Sequence, residues 1–120
     1  MKSIAVYIAT TSGPVRVERV TPERAPQSLV CLGRSSSILP ISGDYDDFVR
    51  PGSGAIEREF GPHENVSYRL DLSGPITSGR SWQLGFFLAH ALSTSGRLAL
   101  SGDEAVPDEI AVVTGQVDFD

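Results

Sequence analysis

The pattern that most restricts the possible folds is an apolar segment in the second half of the chain. Leu84, Phe87, Leu88, Ala91 and Leu92 recur at helical spacing, and Trp82, Phe86 and Ala89 make the remaining sides apolar as well. The spacing predicts a helix over about 80–93, stopped at Gly96, a residue suited to a left-handed C-terminal position. A helix apolar nearly all round lies centrally in its domain or is covered by a partner. Before it, Val66, Tyr68, Leu70 and Leu72 alternate with Ser67, Arg69 and Asp71, as in a half-buried strand. After it, Ile110-Ala111-Val112-Val113 is a continuous apolar run of the kind found in strands covered on both faces. Strand, helix and strand in that order suggest a crossover unit, whose two strands need not be neighbours.

The amino-terminal part reads as a hairpin. Ile4, Val6 and Ile8 alternate with smaller residues, Thr10-Thr11-Ser12-Gly13 supplies a turn, and Val15, Val17 and Val20 resume the pattern. Pro22 and Pro26 are expected to break that second strand, and the apolar run from Leu29 to Leu32 reads as a third. Residues 33–62 are rich in Gly, Ser, Pro and Asp, with Ile38-Leu39-Pro40-Ile41 and Ala55-Ile56 as the apolar punctuation. An irregular functional loop or short edge strands are expected there. The fold class is therefore α+β: a small mixed sheet that starts with a β-hairpin and contains a strand–helix–strand unit around a buried helix. At 120 residues the chain is one domain, residues 1–120, which could be the amino-terminal piece of a larger protein. A core of that size needs no staple.

Charge excludes several functions. Ten Lys and Arg stand against fifteen Asp and Glu, a formal net charge of −5, and Lys2 is the only lysine. An acidic chain without a basic stripe does not suit a general nucleic-acid binder. The deficit is local: between Leu98 and Asp120 there are six acids (Asp103, Glu104, Asp108, Glu109, Asp118 and Asp120) and no Lys or Arg. That end is either a solvated acidic surface or a docking surface for a basic partner. A single cysteine, Cys31, forms no intrachain disulfide and suits a reducing, cytoplasmic setting. The apolar run at Ile4–Ala9 is too short for a signal peptide core or a membrane span, so a soluble protein without membrane association is expected.

Candidate chemistry concentrates in residues 73–82, the loop leading into the predicted helix. A helix N-terminus presents unpaired N–H groups and a positive dipole end, which stabilise an anion, an oxyanion or an ionising nucleophile. Thr77 or Ser78 could cap it, Ser81 lies in its expected first turn, and Thr77, Ser78, Gly79, Arg80 and Ser81 form a candidate anion site. Arg80 is a cation at the positive end of a dipole, which calls for an offsetting acid such as Asp71, the acidic tail or a bound anion. Elsewhere, Asp44, Asp46 and Asp47 around Tyr45 read as a solvated turn, since the acid that closes a calcium loop is missing. Glu57 and Glu59 read as surface charge, His63 as exposed loop, and His90 as a core histidine satisfied by a hydrogen bond. No metal site and no cofactor are expected.

Ser73-Gly74-Pro75-Ile76-Thr77-Ser78-Gly79 before an apolar helix, followed by Val112-Val113-Thr114-Gly115-Gln116-Val117, resembles the proteolytic domain of Lon-type serine peptidases over residues 68–118. That family joins a strand, a Gly-Pro-Ser-Ala-Gly run, a buried helix and a strand ending in Thr-Gly-Glu. The resemblance implies a Ser–Lys dyad, in which lysine takes the serine proton that a neutral hydroxyl does not lose unaided. No lysine follows Thr114-Gly115, Gln116 stands in place of the Glu, and arginine stays protonated and cannot serve as base. The family serine falls on Gly79, with Ser78 or Ser81 reached only by a shift. The loop also resembles that of GHMP-type small-molecule kinases, without their dense glycine pattern. The expectation is a non-catalytic Lon-like accessory or interaction domain that binds a protein partner or a second copy of itself. A hydrolase built on Ser78 or Ser81 would need its base from Lys2, another subunit or sequence outside the chain. Nucleotide-phosphate binding at 73–81 is the further alternative.

Overall fold

The computed structural model describes residues 3–23, 27–33, 37–49, 67–76, 79–100 and 106–115. It is an α+β domain built from strands β1 (Ile4–Ile8), β2 (Val15–Glu23), β3 (Leu29–Leu32), β4 (Ser67–Leu72) and β5 (Glu109–Val113), with helices α1 (Ser42–Val49) and α2 (Gln83–Thr94). The five strands form one mixed sheet in the order β3-β4-β2-β1-β5. β1 and β2 pair antiparallel as the expected hairpin, β2 is antiparallel to β4, and the β3–β4 and β1–β5 pairs are parallel. The strands on either side of α2 are thus not neighbours, because β2 and β1 lie between them.

Alternation along each strand sends Val6, Ile8, Val15, Val17, Val30, Leu70 and Leu72 into a single core on one face of the sheet. Both helices cover that face. α1 packs on β3 and β4, and α2 packs on β1, β2 and β5. The two helices meet through edge-on aromatic contacts, Tyr45 to Phe86 and Phe48 to Trp82, each with ring centroids 5.5 Å apart. No helix is long and apolar enough to cross a membrane, among the described residues.

Four expectations need correction. The predicted helix over 80–93 starts at Gln83, with Trp82 as N-cap and no side-chain cap, so Arg80 and Ser81 precede its first turn. β2 runs through Pro22, which pairs with Tyr68 beyond the point where β1 leaves the ladder; a missing N–H is tolerated there because no described strand pairs on that side. Within 33–62, Ser42–Val49 is helical rather than irregular, so Asp44, Asp46 and Asp47 sit on a helix and Tyr45 is buried; residues 50–62 fall outside the described ones. Last, β5 is not covered on both faces: among the described strands it lies at the edge, with Ile110 61% and Val112 59% exposed.

The seat of α2 depends on a missing side chain. A Cβ built on Gly85 would lie 2.5 Å from Cγ1 of Ile8 and 3.2 Å from Cγ2 of Val113. Ile8 is buried and β-branched, so its side chain has little freedom to yield. Gly85→Ala gains up to about 1 kcal/mol of helix propensity but overpacks the interface by about 1–3 kcal/mol. The expected net result is a lower urea midpoint with unchanged slope, whereas alanine at an exposed helical glycine would raise it.

Candidate functional site

The turn before α2 is held by its own backbone. Gly79 takes a φ of +82°, a value glycine adopts without strain, and its carbonyl accepts the Trp82 indole N–H at 2.7 Å. The Arg80 carbonyl accepts from Gln83 N–H at 3.1 Å. The Ser81 carbonyl accepts from Gly115 N–H at 2.9 Å, and Leu84 N–H donates to the Gly115 carbonyl, also at 2.9 Å. Gly115, just past β5, therefore clasps the start of α2 and takes the Leu84 N–H, while Arg80 takes that of Gln83, so two of the first donors that an anion would need are already used. Trp82 closes the turn from inside, 1% exposed, with its ring centroid 4.8 Å from that of Phe86.

Of the expected site residues, Gly79, Arg80 and Ser81 are brought to one exposed turn, while Lys2, Thr77 and Ser78 lie outside the described residues. The Ser81 hydroxyl makes no hydrogen bond to another described residue. Arg80 is exposed, and buried Asp71 accepts instead from Arg69 Nε at 2.9 Å. No group of three or more His, Cys, Asp or Glu among the described residues could hold a metal ion.

His90 is the satisfied core histidine the sequence suggested. Its Nε2 lies 2.7 Å from the Tyr45 hydroxyl, and the Tyr68 ring meets it edge-on at 4.8 Å. Burial, with the neighbouring Tyr68 adding to it, pushes the Tyr45 phenol well above its ordinary value of 10.0, and burial raises Tyr68 as well. This polar pair ties α1 to α2 inside the core and offers nothing to solvent. Tyr45→Phe leaves the His90 nitrogen without its partner and is expected to cost about 1–3 kcal/mol in chemical denaturation. The folded chain also keeps these phenol protons to higher pH than the unfolded chain, so unfolding releases protons above pH 10. Stability is therefore expected to fall as pH rises past about 10, by up to about 1.4 kcal/mol per pH unit for the buried Tyr45 phenol and by less for the more exposed Tyr68, and Tyr45→Phe should reduce that slope.

The second notable surface is the outer edge of β5. Glu109 N–H donates to the Ser3 carbonyl and the Val113 carbonyl accepts from Ala9 N–H, so residues 109, 111 and 113 direct their backbone groups toward β1. By alternation, the N–H and C=O groups of Ile110 and Val112 point outward, where no described strand pairs with them. Their side chains stand on the sheet face away from the helices, next to Ala5 and Tyr7, their register partners on β1. Periodicity missed this edge because a four-residue apolar run looks the same in a buried strand. The signal was the pair of exposed acids at its start, Asp108 and Glu109, since charge commonly marks strands at an edge. Comparison with family models, curated proteins and solved structures finds no match to this chain.

Proposed function

We propose that the chain is a non-catalytic protein-binding domain that engages its partner along the outer edge of β5. The observation that supports this reading most is the combination of outward-pointing backbone groups with two exposed apolar side chains, Ile110 and Val112, on one short strand. An exposed apolar edge invites addition of another strand, and soluble proteins normally blunt such edges unless they use them. The Lon-type resemblance is read here as one of scaffold alone, because a shared framework carries no reaction without its site. The single cysteine agrees with a cytoplasmic setting.

A displayed library of random octapeptides tests the reading. Immobilised full chain is expected to enrich peptides that Val112→Pro does not, since proline removes an outward N–H while leaving the β1 ladder untouched. Enrichment that is absent, or equal for both proteins, would contradict it. Treatment with a fluorophosphonate probe separates the hydrolase alternative: no labelling of Ser78 or Ser81 is expected, and labelling abolished by Ser→Ala would establish a nucleophile.

A further inference from the structure

Resting on the edge-binding reading above, we infer that the occupant of the β5 edge is an extended, basic protein segment that adds to the sheet as a sixth strand, with apolar side chains at alternate positions. The backbone supplies half of this recognition. Ile110 and Val112 each present one donor and one acceptor outward, the spacing an added strand pairs with, and such pairing is indifferent to sequence. The side chains supply the apolar requirement. Ile110 and Val112 share a face, so residues two apart on the added strand would pack against them, with Tyr7 forming the floor beyond.

Charge selects among possible occupants. β5 starts at two exposed carboxylate residues, Asp108 and Glu109, and the sequence from Leu98 to Asp120 carries six acids without one base. A second copy of the chain would set two such segments side by side, and like charges across neighbouring strands are destabilising. A segment with Lys or Arg flanking its apolar positions meets complementary charge where β5 starts, at Asp108 and Glu109, and the acidic sequence around it steers such a segment to the edge before contact. Of the arginines on the inner strands, Arg16 on β2 lies over the ring of Tyr7, itself one strand in from this edge, 5.9 Å from its centroid, and Arg19 and Arg69 are on β2 and β4.

The test uses three synthetic peptides that share the core Val-Thr-Ile-Thr-Val and are flanked on both sides by Lys-Lys, Gln-Gln or Glu-Glu. Each is titrated into isotope-labelled full chain while the backbone amide signals are followed. The Lys-flanked peptide is expected to move the Ile110 and Val112 signals most. Its affinity should fall about tenfold or more between about 0.05 M and about 0.5 M salt, and the Glu-flanked peptide should bind least. Val112→Pro should abolish the effect; should it fail to fold, the double variant Ile110→Thr, Val112→Thr replaces it, with a several-fold loss expected. Equal binding of all three peptides would overturn the basic partner while leaving edge binding in place. Movement of β5 signals with protein concentration alone, accompanied by dimer in sedimentation, would overturn it in favour of a second copy. No response at β5 to any peptide or to protein concentration would overturn the edge reading itself.

Discussion

The close approach of Gly85 to Ile8 is the contact on which the rest of the domain depends. It lets the backbone of α2 settle onto β1 and β5, and so places Trp82, Phe86, Ala89 and Leu92 in the core. From there Phe86 reaches Tyr45 and Trp82 reaches Phe48, which fixes α1 against the same face. The Tyr45–His90 hydrogen bond then sets the relative position of the two helices, because a buried polar group without its partner is costly. One small residue thus controls the distance at which a whole layer packs.

Among the described residues both helices lie on one side of the sheet. The helices cover the face bearing Val6, Ile8, Val17 and Leu70, and α2 reaches as far as β5. At β5 the helix-facing residues Ala111 and Val113 are half-buried, while Ile110 and Val112, on the opposite face, are exposed. The clasp between Gly115 and the start of α2 holds this strand firmly at its far end, and Ser3 holds its beginning through Glu109 and Asp108. A rigid, preformed edge needs little ordering when a further strand is added, which favours binding. At the turn Gly79–Trp82, by contrast, the carbonyls and the Gln83 and Leu84 N–H groups are paired within the protein, which joins the start of α2 to the end of β5.

The sequence was legible where one periodicity dominated. The hairpin, β3, β4 and the body of α2 follow from alternation or helical spacing, and Gly96, at φ +74°, ends α2 as its position suggested. α1 was hidden because Gly43, Asp44, Asp46 and Asp47 look like a turn in composition, although Ser42, Tyr45, Phe48 and Val49 carry the buried helical spacing. The start of α2 is not legible because a Ser- and Gly-rich stretch resembles a cap, whereas Gly115, a residue distant in the chain that no local pattern reveals, bonds the actual start. The status of β5 as an edge depends on strand order, a tertiary property. The core position of His90 is legible because its helical neighbours are apolar, but its partner Tyr45 lies in a segment whose composition resembles a loop.

Amide hydrogen exchange along β5, measured by NMR on the free chain, tests the central claim most directly. Ala111 and Val113 should be protected by their bonds to β1, while Ile110 and Val112 should exchange faster by about tenfold or more, as unbonded outward groups do. Protection of Ile110 and Val112 equal to that of Ala111 would show that the edge is already occupied and would contradict the account.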